Sequence, residues 1–414
     1  MKNALALLVC TILLVAALPA PVGAESPLDL MPPLTAVEQM VDADGHVIFT
    51  DAVVEHAIRE SLGMPEGPIT PKQLASVGKN GEQLNIVATT ATPADLSVLQ
   101  FCTKLKGLYL ERVIPISLAA ITAIKSLTYF GAKQIQFTDL GFLAGIKGLS
   151  DVWISECPCK DISAVTEMPK LINFSIDFRV HDLSPLYTCK KLIALAVAYQ
   201  SDTEVNVLLD HLSHKLTYLG LNTCAITDAT LERIAGTKLN GIMLDNVPVR
   251  SVAPLWRMKA LQDVRIYSMP INTLDGIQDM KKLRSLHLIG TTGKPDYSPI
   301  FAQPSIRSLR FVSVDAPDLQ GIQDAGTLEE LSLEGIDGTV DLTPVFGIPK
   351  LKRLLLNTVT VTTLAGIEGM LKLTDLELYS VHGIVDYSPL LGLVKIRHIG
   401  TDTPERIPEG LPVQ

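Results

Sequence analysis

The sequence predicts an α/β solenoid, with one parallel sheet on the concave side, short helices or 3₁₀ turns on the convex side, and a helical cap before the first strand. Three observations predict it. From Leu328 the chain reads LEELSLEGIDGTVDLTPVFGIPK, from Leu351 LKRLLLNTVTVTTLAGIEGMLK, and from Leu373 LTDLELYSVHGIVDYSPLLGLVK, so one pattern returns after about 22 residues. Each line opens with leucines at relative positions 1, 4 and 6, and polar neighbours alternate with Leu331 and Leu333, Leu354 and Leu356, Leu376 and Leu378, the signature of a half-buried strand. Each line also closes on an apolar residue about three positions before the next. Together these are the marks of a leucine-rich repeat.

Composition agrees. The 414 residues are 47% hydrophobic but only 5% aromatic, which suits a core of stacked aliphatic columns. A repeat array also removes the need to divide so long a chain into several domains, because each unit packs on its neighbours. The formal net charge of −9 argues against nucleic acid or an anionic membrane as partner.

The first residues are not part of the fold. Lys2, the apolar run Leu5 to Leu18 and the small-residue site Val22-Gly23-Ala24 read as a signal peptide over residues 1–24, cleaved after Ala24. The run is too short for a membrane span, and no later stretch would make one. The chain is therefore expected to be secreted, or held in the cell envelope by something other than itself. Residues 25–45, with Pro27, Pro32 and Pro33, form a flexible lead-in.

Residues 46–83 form the helical cap. Val53, Val54, Ala57, Ile58 and Leu62 are spaced for one helix, with Asp51 as N-cap and Gly63 as stop. A second short helix follows, capped by Thr70 with Pro71 in its first turn. A solenoid needs such an end piece, since its first rung would otherwise expose a layer of core.

The repeats occupy residues 84–400, followed by a tail over 401–414. They open at Leu84, Leu105, Leu127, Leu149, Leu171, Leu192, Leu216, Leu239, Leu261, Leu283, Ile306, Leu328, Leu351, Leu373 and Ile396. Stacked at about 4.8 Å per strand, these rungs span about 65–70 Å. Asp182-Leu183-Ser184-Pro185 recurs as Asp296-Tyr297-Ser298-Pro299, Asp341-Leu342-Thr343-Pro344 and Asp386-Tyr387-Ser388-Pro389. A Ser or Thr cap before Pro predicts a short helix or 3₁₀ turn there. The rungs opening at Leu192 and Leu216 lack that turn and carry VNVLLDHLSHK and ITDATLERIAGTK, which predict true α-helices.

This strand–turn pattern, preceded by a helical segment, resembles the internalin-type leucine-rich repeat proteins of bacteria from about Val47 to Gly400. The resemblance implies an exported binding protein without enzymatic activity. One departure stands out. Internalin-type repeats place Asn at position 9, where this chain has Val113, Ile135, Cys157, Cys224, Val247, Met269, Val314, Ile336, Val359 and Val381. An apolar column is expected to replace the amide ladder.

No catalytic constellation is present: there is no Gly-rich phosphate loop, nucleophile elbow or HExxH, and no cofactor motif. Cys102, Cys157, Cys159, Cys189 and Cys224 all fall on core slots of the repeat, so buried unpaired thiols are expected rather than a metal or redox pair. His211 and His214 lack a third ligand and read as a solvated helix face.

A ligand would meet the concave side, where positions 2, 3, 5 and 7 point outward. Tyr109, Tyr129 and Trp153 lie on three successive rungs, and interfaces favour Tyr and Trp. Further on, Arg265, His287 and Arg310 share position 5 and Arg284 and Arg307 share position 2, bounded by Glu329, Glu330 and Glu334. Like charges so stacked repel, which points to an anionic partner. The partner predicted is a protein, or else an anionic glycan. A structural protein of the envelope and a carbohydrate-binding module are the rival readings.

Overall fold

A computed structural model describes residues 37–413. The predicted signal peptide and the first part of the lead-in lie outside the described residues. Within the lead-in, Val37–Met40 forms a 3₁₀ turn, Met40 is buried, and Val41 bridges Val47 antiparallel.

The helix Ala52–Leu62 starts at Asp51, whose carboxylate accepts the N–H groups of Val53 and Val54 at 2.9 Å. It ends at Gly63, where φ is 63°, a left-handed position that suits glycine. Val54, Ala57 and Ile58 face the core. Thr70 and Gln73 form a reciprocal capping box around the short helix Pro71–Leu74, satisfying N–H groups a helix start leaves unpaired.

The strands follow in order: β1 (Gln83–Ala94), β2 (Gly107–Pro115), β3 (Tyr129–Lys133), β4 (Asp151–Ser155), β5 (Asn173–Ile176), β6 (Ala194–Ala198), β7 (Tyr218–Asn222), β8 (Gly241–Asp245), β9 (Asp263–Tyr267), β10 (Ser285–Ile289), β11 (Ser308–Val312), β12 (Glu330–Glu334), β13 (Thr339–Val340), β14 (Arg353–Val361), β15 (Asp375–His382) and β16 (His398–Thr401). They form one sheet in sequence order, with β13 pairing beside β14. Every pairing is parallel. The register puts Leu331, Leu354 and Leu376 in one column and Leu333, Leu356 and Leu378 in another. All six are buried. The core is thus a bundle of aliphatic columns, the solenoid the leucine spacing predicts.

The back of the solenoid is mostly one-turn helices and 3₁₀ turns. The two exceptions are the predicted ones, Asp202–Leu212 and Asp228–Ala235. The capping of the short turns differs from expectation. In the Asp-x-Ser-Pro turns the Ser is not the cap: Asp182 Oδ1 accepts the Ser184 N–H at 2.8 Å, and Asp296, Asp341 and Asp386 do the same two residues on. An aspartate reaches its own backbone two residues ahead in an Asx turn, so the carboxylate wins over the hydroxyl. Asp139 and Asp161 make the same turn, as do Ser117, Ser251, Thr273 and Thr363 with a hydroxyl oxygen.

Two further columns shape each rung. The residue leaving most strands, or lying within the longer β2, β14 and β15 at the same slot, is left-handed: Arg112, Gln134, Glu156, Tyr199, Thr223, Asn246, Ser268, Ser313, Thr358 and Ser380 have φ between 49° and 56°, and Gly290 and Gly335 fill the same slot. A non-glycine residue there costs about 1–2 kcal/mol, which the ladder must offset. It does so by keeping the slot's N–H paired, as when Thr223 donates to the Asp245 carbonyl at 2.7 Å and Gln134 to Ser155 at 3.1 Å. The next column is the apolar position 9, and all ten of its named residues are buried.

On the back, large and small residues alternate between rungs. Trp256 packs against Gly276, Phe301 against Gly321 and Phe346 against Gly366. Each glycine has φ near 90–100°, a conformation other residues rarely adopt, and at Gly366 a Cβ would also press within 3.1 Å of the Phe346 ring. The last member of the series, Leu391, is 60% exposed, beside Val394 at 72% and Leu371 at 61%. The tail turns back, and Val413 bridges Ile399 of β16.

Candidate functional site

Register places corresponding side chains of successive strands side by side on the open face of the sheet. The middle column runs Tyr109, Gly131, Trp153, Ser175, Ala196, Gly220, Met243, Arg265, His287, Arg310. The predicted aromatic strip and basic strip therefore lie on one line, separated by four small or flexible residues.

The aromatic residues meet, though not as three members of one column. Tyr109 and Trp153 share the middle column across Gly131, and their ring centroids are 6.0 Å apart with planes inclined by 32°. Tyr129 belongs to the neighbouring column and leans over Gly131. A Cβ on Gly131 would lie 2.8 Å from Tyr109 Cδ2 and closer still to the Tyr129 hydroxyl, so the glycine is what admits the rings. Tyr109 donates to Glu111 at 2.8 Å. Burial, then that hydrogen bond, pushes its phenol up, so it remains a neutral donor. All three rings are half-buried.

The basic residues are also brought together, with a correction to the charge argument. Arg265, His287 and Arg310 do line up on β9, β10 and β11. They are not unbalanced cations. Arg265 forks onto Asp263 with two bonds of 3.0 Å, and Arg310 forks onto Glu334 at 2.8 and 3.1 Å. Arg307 lies 3.4 Å from Glu329, which also holds Lys352 at 2.6 Å. The acidic rung is thus the counter-charge of Arg307 and Arg310, not a wall beyond them. Arg284, by contrast, is exposed and enters no ion pair among the described residues.

His287 sits between the two guanidinium groups. Burial, then the charge of Arg265, and in lesser part that of Arg310, pushes it down to about 4. It is a neutral imidazole at pH 7, with Nε2 3.1 Å from the Ser285 hydroxyl. Burial opposes the Arg265 charge as well, but the bonds and charge of Asp263 keep its pKa above the usual value.

Between the two strips lies a lane that sequence reasoning missed. Ser175, Ala196 and Gly220 are successive small members of the middle column, flanked by Ala194 and Ala198 and ended by Met243. Reading every strand at position 5 would have revealed it. The other candidates resolve into structure. His211 stacks on Tyr187 with centroids 4.3 Å apart and planes 11° from parallel. Cys102, Cys157, Cys159, Cys189 and Cys224 are buried and free. Asp42, Asp44 and His46 approach one another in a loop where Asp42 Oδ1 accepts the N–H groups of the other two. A hollow of about 420 Å³ lies off the open face, lined by Lys294, Asp296, Tyr297 and Asp315. Asp296 is committed to its turn and Asp315 lies 3.7 Å from Lys294. No described helix is long and apolar enough to cross a membrane.

No protein-family model and no curated protein matches the chain. Among solved structures, an internalin of Listeria monocytogenes (InlF) is 21% identical, covering 86% of this chain and 96% of its own, with a TM-score of 0.44. A leucine-rich repeat protein of Leptospira interrogans is 14% identical, covering 77% and 87%, with a TM-score of 0.46. The functional domain of InlJ from Listeria monocytogenes, which includes a cysteine ladder, is 17% identical over 85% and 79%, with a TM-score of 0.41. On the geometry of its own strands and turns, the chain is a leucine-rich repeat solenoid that resembles the internalin type.

Proposed function

We propose that the chain is an exported, non-catalytic binding protein that recognises a protein ligand on the open, concave face of its sheet. The observation that carries this is the pairing of Tyr109 with Trp153 at the head of the small-residue lane. Half-exposed aromatic rings on a rigid sheet offer large contact area at low cost in side-chain entropy. The lane over Ser175, Ala196 and Gly220 leaves space beside them for a partner's side chains. Arg265 and Arg310 contribute oriented polar edges rather than net charge, since each guanidinium is already forked to a carboxylate.

An anionic glycan is the competing ligand, and it would use Arg284 and Arg307 at the start of β10 and β11. Export rests on the signal peptide read over residues 1–24. The test is a pull-down from envelope extract run beside a glycan array, with wild type, Trp153→Ala and Arg284→Glu. A protein captured by wild type and Arg284→Glu but lost with Trp153→Ala supports the reading. Glycan binding lost with Arg284→Glu and kept with Trp153→Ala overturns it.

A further inference from the structure

The two long flanks of the solenoid carry ladders of opposite charge, although Lys160 and Lys294 also stand exposed on the acidic one. On one flank the chain turns into each strand. There Lys104, Lys125, Lys147, Lys190, Lys259 and Lys281 stand exposed one or two residues before the opening apolar residue. None of the six enters an ion pair among the described residues. On the other flank the chain leaves the strand and starts its crossing of the back. There Asp139, Asp161, Asp182, Asp296, Asp341 and Asp386 each accept a turn N–H through one carboxylate oxygen. The turn hydroxyls bond these carboxylates further, as Thr138 does Asp139 and Ser298 does Asp296. Hydrogen bonds within the turn hold the carboxyls of Asp182, Asp296, Asp341 and Asp386 below the usual range.

The fold requires neither ladder. Ser117, Ser251, Thr273 and Thr363 close the same turn without charge. The rungs opening at Ile306 and Leu328 carry Pro304-Ser305 and Gly326-Thr327 in place of a lysine. Lys104, Lys125 and Lys147 precede three successive strands and Asp139, Asp161 and Asp182 follow three successive strands, so within each set like charges recur at about the 4.8 Å strand spacing and repel, whereas Asp296, Asp341 and Asp386 fall on alternate rungs. The successive sets call for a counter-charge of the same period.

We propose that copies of this chain associate flank to flank, the lysine flank of one against the aspartate flank of the next. A second copy offers the matching sign at the matching spacing, and one partner species satisfies both flanks. A polyanion would meet only the lysines, and would approach a chain whose net charge is −9. The contact is heterologous, so it propagates into open rows rather than closing on itself. Each exposed ion pair is weak, and the strength comes from many acting together. The open face of the sheet stays accessible, so the inference stands apart from the ligand proposed above.

The experiment is sedimentation of the purified full chain across a concentration series. At about 0.01 M salt the screening length is about 30 Å, and at about 1 M it is about 3 Å. The average mass should rise with concentration at low salt and fall to the 44.8 kDa monomer at high salt. The triple variant Lys125→Glu, Lys147→Glu, Lys190→Glu should associate at least about tenfold more weakly. Added to wild type it should shorten the rows, because its aspartate flank still docks. Asp139→Asn, Asp161→Asn and Asp182→Asn together keep the turns and should weaken association from the other side. Wild type that stays monomeric at low salt, or association that neither triple variant changes, overturns the proposal. So does a monomer that takes up dextran sulfate through the three lysines, which would assign that flank to a polyanion.

Discussion

Arg310 on β11 holds Glu334 on β12 through two hydrogen bonds, Nε to Oε1 at 2.8 Å and Nη2 to Oε2 at 3.1 Å. Glu334 also accepts from the Ser332 hydroxyl. The pair is largely shielded, with 31% and 17% of the two side chains exposed.

Arg310→Glu is therefore a stability variant before it is a binding variant. It leaves Glu334 facing a second carboxylate in a half-buried site, at a cost of about 1–3 kcal/mol. Urea unfolding should show the loss, and Glu334→Gln should recover part of it in a double-mutant cycle. A midpoint equal to wild type would mean that the fork contributes nothing. Arg284→Glu, on an exposed and unpaired side chain, should leave the midpoint unchanged.

His287 gives stability a pH dependence. Its folded pKa of about 4 lies below the ordinary 6.5, so between those values the unfolded chain binds more protons than the folded one. Stability then falls as pH drops from about 6.5 towards 4 and levels off below that for this group. His287→Gln should flatten this part of the profile of unfolding free energy against pH. An unchanged slope in that window would show that the imidazole protonates as easily folded as unfolded.

The cysteines should be silent until the chain opens. Burial pushes the thiols of Cys102, Cys157 and Cys159 up to about 12 and that of Cys224 to about 11. Thiolate is the reacting form, so a thiol reagent at pH 8 should modify native protein slowly. Denaturant without reductant should then release these four and Cys189 as free thiols. Fewer would reveal a disulfide.

Removing residues 47–78 should uncover the first rung. Ile58, Leu74 and Val77 are fully buried beside Leu84 and Leu105, and Gly78 has room for no side chain against Leu105. Repeat arrays need a covered end to stay soluble, so the truncated chain should aggregate or lose its first strands. A soluble product with wild-type circular dichroism and melting would show that β1 closes the array unaided.

The leucine columns were legible because position 1, 4 and 6 spacing fixes both the strand and its buried face. The two real helices at Asp202–Leu212 and Asp228–Ala235 were legible by their periodicity. The left-handed slot was not, since Arg112, Tyr199 and Thr223 have no local preference for it and take it because the ladder holds them there. Asp182 and Ser184 both cap in principle, and only geometry says which oxygen is used. At the site, the basic column could be read from register alone. Its neutrality could not, because Arg310 and Glu334 are 24 residues apart and meet only once β11 lies beside β12. The repeat spacing puts the aromatic residues on adjacent rungs, where they lie, but it does not show that Tyr129 is one pleat out of line with Tyr109 and Trp153.

The alternation of Trp256, Phe301 and Phe346 with Gly276, Gly321 and Gly366 has a bearing on repeat number. In the series as it stands each bulky rung is followed by one whose glycine sits at positive φ, and neither kind follows itself. Loss or duplication of a single repeat in this half of the chain would set ring against ring or glycine against glycine. Loss or duplication of two would restore every neighbour. The packing unit here is two rungs, so deletion of two should leave a folded array and deletion of one should cost stability.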